Sequence, residues 1–108
     1  LTGANLTGAN LTGAKLSSAV LNDAILNGAD MSNTNLVFIN LTGAILFLAN
    51  LNYANLSGAN LSGANLSGVY MNGTNVLNAQ FGIGIGLSAR VKRNLIKRGA
   101  IFDDVSKE

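Results

Sequence analysis

Residues 56–65 of this chain read LSGANLSGAN, one five-residue unit repeated without change, and residues 1–10 read LTGANLTGAN. Outward from these blocks, every fifth residue from Leu1 to Phe81 has a large apolar side chain, and the residue two places before it is usually Ala. A helix turns about 100° per residue and would scatter these leucines around its surface, whereas a straight strand would alternate them between two faces. The spacing therefore predicts a solenoid that turns once per unit in a constant sense, with Leu and Ala inside and Gly, Asn or Ser at the corners.

The unit Ala-Asn-Leu followed by two variable residues, repeated over residues 1–80, resembles the pentapeptide-repeat family. The resemblance implies an all-β solenoid, a right-handed quadrilateral β-helix in which residues i and i+20 stack, with about four coils. One predicted core column contains Leu1, Leu21, Leu41, Leu61 and Phe81. One predicted outer column, whose amides can bond to one another along the stack, contains Asn35, Asn55 and Asn75. Ile39 stands where most units have Ala, so we expect a local bulge or a shifted corner there.

The repeat stops after Phe81, and a C-terminal capping α-helix is expected to follow it in the same domain. The predicted parts are a β-helix over 1–81, a flexible Gly-rich connector over 82–87, and a capping helix with its tail over 88–108. Ser88 is a favourable N-cap and Gly99 a favourable C-terminal stop, so we expect a helix from about residue 88 to 98. An uncovered last coil would expose leucines and strand edges, and residues 100–102 are expected to return to that edge. The expected cap contacts are Leu87, Val91, Leu95, Ile96 and Phe102.

The predicted helix also contains most of the positive charge of the chain. Its basic residues are Arg90, Lys92, Arg93, Lys97 and Arg98. Such a cluster without an acidic residue is compatible with binding of nucleic acid or another anionic surface. The favoured interpretation is a solvated outer face of the cap, in which Lys97 and Arg98 complement the negative C-terminal end of the helix dipole.

Several outward positions hold large apolar residues instead of the usual polar ones. Four are predicted to share one side of the β-helix, with two tyrosines near its corner: Ile25, Ile45, Phe47 and Leu48, and Tyr53 and Tyr70. They form either a surface for a protein partner or a second copy, or apolar groups that tuck along the coil and need no partner. The first coil begins in phase with the repeat at Leu1, so either further residues precede it or two copies stack end to end there.

Composition restricts the chemistry of the chain. It has no Cys and no His, and only five acidic residues, so thiolate or imidazole catalysis and Cys/His zinc binding are excluded. Asp23 and Asp30 are predicted on different sides, and the glycines at 82–86 lack the pattern of a phosphate-binding loop. We expect no catalytic residues, no cofactor and no metal, and the apolar runs are far shorter than the roughly 20 residues of a membrane span. The compartment is unknown, with the cytoplasm favoured and an exported compartment an alternative if an upstream signal has been removed.

Taken with the family resemblance, these features predict a non-enzymatic structural or protein-interaction scaffold with an unidentified protein partner. A homodimer through the apolar side or the N-terminal coil is one form of that prediction. The alternative is nucleic-acid or anionic-surface binding through the basic helix, although nucleic acid is not the expected partner. Some members of the family resemble DNA and bind type II topoisomerases, but that role depends on a strongly acidic surface, and the formal net charge here is +2.

Overall fold

A computed structural model describes residues 1–103, and the rest of the predicted tail, 104–108, lies outside the described residues. Through the repeat, parallel bridges join residues that are twenty apart, beginning with Asn5 and Ile25 and recurring every five residues. Residues at the same position of successive twenty-residue turns are therefore direct neighbours. The described chain is elongated, with principal extents of 38 × 22 × 21 Å.

Two sets of backbone hydrogen bonds hold each coil. Inside a unit, the amide of the small residue donates to the carbonyl of the preceding Leu, as Ala24 does to Leu21 at 3.1 Å. Between coils, the Leu26 amide donates to the Ile45 carbonyl at 2.7 Å, and the Ile45 amide donates back to Ala24 at 2.9 Å. An interior coil is thus bonded to the coils on both sides, which pairs backbone groups that would otherwise be costly to remove from water.

The third residue of most units has a positive φ and makes the corner. Glycine is frequent there because it has no Cβ to clash in the left-handed region. The non-glycine corners are Ser18, Asp23, Asn33, Phe38, Leu48, Tyr53 and Asn78. Phe38, Leu48 and Tyr53 have φ values of 58°, 60° and 61°, and a bulky residue in this region is strained by about 1–2 kcal/mol. Packing of the coils therefore overrides the local preference of these three residues.

The core consists of the large apolar column residues and the small residues between them. From Leu21 to Leu66 each of these leucines has no exposed surface. Met31 completes the pattern in the second coil and is equally buried. The interior is thus a continuous stack of side chains that runs the length of the coils, as the five-residue period predicts.

Ile39 does not disturb the coil, so the expected bulge is wrong. Asn40, the next residue, is bridged to Val20 on one side and to Asn60 on the other, in the same register as its neighbours. Ile39 is completely buried. The residues twenty positions before and after it, Ala19 and Ala59, are both small.

After the repeat the chain forms two short strands and one helix. Strand β1 spans Gln80–Gly82, helix α1 spans Ala89–Lys97 and strand β2 spans Ile101–Phe102. The Ser88 side chain accepts a hydrogen bond from the Val91 amide at 3.2 Å, which caps the start of α1. Gly99, with φ 96°, follows its end. Strand β2 pairs in parallel with β1, so residues 100–102 return to the edge of the stack as the sequence predicts.

The Gly-rich segment differs from the flexible connector expected over 82–87. Strand β1 crosses the predicted boundary, and the Gly84 amide donates to the Phe81 carbonyl at 2.9 Å, as in any repeat unit. The Leu66 amide donates to the Ile85 carbonyl at 2.8 Å. Residues 81–85 therefore continue the repeat as one further side.

The departure from the repeat occurs at Gly86. A Cβ at this position would lie 2.5 Å from the Ser67 amide nitrogen, and φ is 87°. A Leu, which the five-residue period would place here, cannot be accommodated against that backbone. The chain leaves the coil at this glycine and enters α1 three residues later.

Candidate interaction surfaces

Four apolar residues at outward positions of the second and third coils are here called the apolar strip: Ile25, Ile45, Phe47 and Leu48. Ile25 and Ile45 are bridged across adjacent coils, and the Phe47 carbonyl accepts a hydrogen bond from the Gly28 amide at 2.9 Å. Ile45, Phe47 and Leu48 are 37%, 44% and 46% exposed, whereas Ile25 is half-buried. The strip is thus backed by paired backbone.

Large side chains at corners lie over glycines of the next coil. A Cβ built on Gly68 would meet the Leu48 side chain at 2.7 Å, and one on Gly73 would meet the Tyr53 ring at 2.5 Å. Sequence reasoning missed this arrangement, although its signal is visible in the sequence: a glycine stands twenty residues after each of these large corner residues. Phe38 follows the same rule with Gly58, which adds a third large side chain to the outer surface.

The predicted cap contacts fall into two groups. Leu95 and Phe102 are buried, and Leu87 and Ile96 are partly buried against the core. The Phe102 ring stacks on that of Phe81, with centroids 5.0 Å apart and planes 15° from parallel. Val91, in contrast, is 40% exposed and lines a groove instead of the core.

The basic residues of α1 and of its C-cap, Arg98, do not share one solvated face. Arg98 is half-buried, and its Nη1 donates to the Thr74 carbonyl at 3.0 Å, while Nη2 lies 3.4 Å from the Met71 carbonyl oxygen. Lys92 Nζ lies 6.0 Å from the centre of the Phe102 ring. Arg98 thus donates hydrogen bonds to backbone carbonyls at the end of the stack, a role that its charge alone could not indicate. The remaining exposed basic residues are Arg90, Arg93 and Lys97.

A groove, here called the end groove, lies between α1 and the last complete coil and has a volume of about 450 Å³. It is lined by Val69, Tyr70, Met71, Asn72, Arg90, Val91, Asn94, Leu95 and Arg98. Tyr70 is 52% exposed here, so this tyrosine, predicted near the corner of the apolar side, also forms part of a second surface. The groove is largely apolar and contains two arginines.

Polar side chains along the outside mostly bond within their own unit. Asn35, Asn55 and Asn75 each accept a hydrogen bond through Oδ1 from the amide two residues later, at 3.1–3.2 Å. These bonds stabilise the turns, whereas the sequence predicts bonds between the side-chain amides along the stack. Asp30 occupies an equivalent position, and hydrogen bonds from the Ser32 hydroxyl and amide lower the pKa of its carboxyl group.

Within residues 1–103 there is no group of three or more Asp, Glu, His or Cys side chains that could hold a metal ion. In the same part of the chain, no helix has the length and apolar character needed to cross a membrane.

Comparison with known proteins identifies similar sequences and folds. A family model for pentapeptide repeats matches in eight copies, over residues 1–36, 9–46 and 49–82. Among solved structures, alr5209, a pentapeptide repeat protein from Nostoc PCC 7120, is 27% identical with a TM-score of 0.82, and the alignment covers 94% of this chain and 83% of that one. No curated protein matches the chain.

Two further cyanobacterial structures have a higher sequence identity to this chain than alr5209 has, but the alignment covers a smaller share of each. Rfr23, a pentapeptide repeat protein from Cyanothece 51142, is 43% identical with a TM-score of 0.57, over 68% of this chain and 57% of that one. HetL, a pentapeptide repeat protein involved in heterocyst differentiation regulation in Nostoc sp. strain PCC 7120, is 35% identical with a TM-score of 0.52. That alignment covers 75% of this chain and 36% of HetL.

Proposed function

The chain belongs to the pentapeptide-repeat family, and we propose that it acts as a non-enzymatic scaffold that binds protein through the side of its β-helix. We infer a right-handed quadrilateral β-helix of about four coils, whose C-terminal end is capped by α1. The burial of Leu95 and the stacking of Phe102 on Phe81 support the capping role.

The apolar strip is the observation that carries this proposal. Asn and Ser dominate the outward positions of the repeat, and the third coil departs from that pattern at three positions within four residues: Ile45, Phe47 and Leu48. Ile45 is bridged to both neighbouring coils, Phe47 accepts a backbone hydrogen bond from the second coil, and Leu48 donates one to the fourth. Because this backbone is held in place, little freedom is lost when a partner covers the side chains. A rigid apolar surface rimmed by polar residues is typical of a protein contact.

The non-enzymatic part of the proposal rests on composition. A chain without His or Cys has neither an imidazole base nor a thiol nucleophile. The two acids within the coils, Asp23 and Asp30, belong to different sides, and the lowered pKa of Asp30 favours the ionised form over a general acid.

The next coil provides a replacement for the strip that suits the fold. Residues twenty after Ile45, Phe47 and Leu48 are Asn65, Ser67 and Gly68. A triple variant, Ile45→Asn/Phe47→Ser/Leu48→Gly, therefore removes the strip with residues that this β-helix already accommodates in the same columns. Val20→Asn, which removes an exposed apolar residue in another column, is the matched control.

Light scattering after size-exclusion chromatography over a range of concentrations tests self-association through the strip. We expect the wild type and Val20→Asn to associate and the triple variant to be monomeric, with unchanged circular dichroism. A wild type that is monomeric at every concentration, or a triple variant that still associates, would contradict the strip as an assembly surface.

A second candidate function is binding of an anionic surface through α1. The favouring observation is that Arg90, Arg93 and Lys97 are exposed and spaced at i, i+3 and i+7, along one face of the helix. With only three such charges, affinity for duplex DNA should be low and should fall steeply with salt. Fluorescence anisotropy at low salt, with Arg90→Gln/Arg93→Gln/Lys97→Gln as control, would end this candidate if the wild type shows no binding.

A further inference from the structure

The end groove is large enough to hold a ligand. Its volume of about 450 Å³ is within the range of pockets that hold small molecules or single peptide side chains. One wall comes from residues 69–72 of the last complete coil and the other from α1. Both walls are anchored, because Leu95 of α1 is buried in the core and Met71 belongs to a core column.

The walls of the end groove expose apolar surface. Tyr70 is 52% exposed and Val91 is 40% exposed, although the helix face that carries Val91 is the one predicted to pack on the coil. The helix therefore stands away from the coil at this point and leaves apolar surface that a ligand can cover.

The charge in the end groove is entirely positive. Arg98 is half-buried, and its two Nη atoms face backbone carbonyls, which are neutral and leave its positive charge uncompensated. Its Nε is buried without a hydrogen-bond partner. Arg90 lies exposed at the rim, and no acidic side chain lines the groove among the described residues. A cation in a partly dehydrated apolar setting is stabilised by an anion nearby.

We propose that the end groove binds an acidic segment of a partner protein, in which an apolar side chain is flanked by carboxylates. The apolar side chain would cover Tyr70 and Val91, one carboxylate would pair with Arg90, and the field of Arg98 would favour the complex. This inference rests on the proposed role as a protein-binding scaffold and adds the chemistry of a partner at a second surface.

Two short peptides test the assignment, with the full chain labelled with ¹⁵N for NMR. The probe is acetyl-Asp-Leu-Asp-amide, and its uncharged isostere is acetyl-Asn-Leu-Asn-amide. We expect the acidic peptide to shift the amide resonances of residues 69–72 and of α1, and to bind about tenfold more tightly than the isostere. Raised salt should weaken the binding of the acidic peptide and leave that of the isostere unchanged, because salt screens the carboxylates.

Two arginines of α1 make a matched pair of variants. Arg90→Gln should lower the affinity for the acidic peptide about threefold. Arg93→Gln, which changes an exposed arginine outside the groove, should leave that affinity unchanged. Val91→Glu introduces a negative charge into the wall and should abolish binding. Both altered groove residues are exposed, so the variants are expected to fold as the wild type does, which the NMR spectrum itself checks.

Equal affinities for the two peptides, equal effects of Arg90→Gln and Arg93→Gln, or no shifts at residues 69–72 would overturn the proposal. Shifts confined to the apolar strip would overturn it too and would assign the peptide to that surface. The triple variant of the apolar strip should bind the acidic peptide normally. If the peptide fails to bind while the wild type still self-associates, the end groove is refuted and the scaffold proposal stands.

Discussion

The two ends of the stack differ in how their last leucines are covered. In the first coil, Leu1 is 69% exposed and Leu6 is only partly buried. In the last complete coil, Leu61 and Leu66 have no exposed surface, and neither does Phe81 above them. Within residues 1–103 the first coil has a neighbouring coil on one side only. The last complete coil is also hydrogen-bonded to the segment after the repeat, as the Leu66 amide is to Ile85, and in our proposal α1 caps this end. Repetition alone buries the middle of such a stack, and an end becomes buried only where non-repeating sequence covers it.

The covering at the C-terminal end uses three different interactions. Strand β2 pairs with the edge of β1, Phe102 stacks on Phe81, and Arg98 donates to the Thr74 carbonyl. The first pairs a free strand edge, the second covers apolar surface, and the third gives a backbone carbonyl a hydrogen-bond donor. Substitutions at this end should therefore be much more costly than equivalent ones in the first coil.

The largest difference between the ends is expected for truncation of core residues. Phe81→Ala removes a buried ring that stacks on Phe102, and we expect it to lower the free energy of unfolding by about 3–5 kcal/mol. Leu1→Ala, at an exposed position, should change it by less than about 0.5 kcal/mol. Urea unfolding followed by circular dichroism measures both, and similar losses in the two variants would show that the ends are equally covered.

Glycines at the two ends provide a comparison in which the same atom is added. Gly86→Ala would place a Cβ 2.5 Å from the Ser67 amide nitrogen, whereas Gly8→Ala, with φ 68°, would meet nothing within 4 Å. We expect Gly8→Ala to cost about 1 kcal/mol, from the left-handed backbone alone. Gly86→Ala should cost about 3 kcal/mol, because backbone must also move. Thermal unfolding of both variants checks the order, and a milder effect at Gly86 would mean that the chain does not pass so close to Ser67.

Arg98 is expected to be the next most sensitive position. Arg98→Met keeps the apolar stem but removes the donors to the Thr74 and Met71 carbonyls, and should cost about 1–3 kcal/mol. Arg93→Met, at an exposed position of the same helix, is the control and should be nearly neutral. If both variants retain wild-type stability in urea, Arg98 is a surface charge, as the sequence suggested.

The predicted and observed positions of the basic residues differ, and this shows what a sequence pattern can determine. The apolar residue at every fifth position predicts which side chains face inward, because the direction of a side chain follows from the geometry of the repeat. That geometry does not depend on what lies at the ends of the stack. Whether Arg98 points to solvent or to a carbonyl depends on how α1 lies on the coil, which no local pattern encodes. The same limit applies to the segment after Phe81, where the repeat continues through the hydrogen bond from the Leu66 amide to Ile85, although its residues do not follow the Ala-Asn-Leu pattern.

Ile39 illustrates a second limit. A large residue in a column of Ala predicts overcrowding when each unit is considered alone, yet the space at that position depends on the residues stacked above and below. The glycines twenty residues after Leu48 and Tyr53 show that such pairs between coils can be identified from sequence when the column spacing is applied.

The smallest expected effect is a loss of stability at low pH through Asp30 in the second coil, where the first coil has Asn10. Asp30 accepts hydrogen bonds from the Ser32 hydroxyl and amide, and Asn10 accepts the same pair from Thr12 in the first coil. The bonds from Ser32 lower the pKa of Asp30. The stabilisation that they provide is therefore present above the pKa of Asp30 in the unfolded chain, and it is lost as the pH falls through the pKa in the folded protein. We expect a slight loss of wild-type stability below about pH 4 that Asp30→Asn reduces. Thermal unfolding between neutral pH and that range measures it, and identical acid dependence of both proteins would assign the loss elsewhere.

Amide hydrogen exchange of the full chain, followed by NMR, tests the difference between the ends most directly. The amides of Leu6 and Leu66 make the same kind of bond to the next coil, to Ile25 and Ile85 respectively. If the covering of the C-terminal end is as described, the Leu66 amide should exchange about 100-fold more slowly than that of Leu6. Equal protection of the two amides, or faster exchange at Leu66, would contradict a covered C-terminal end.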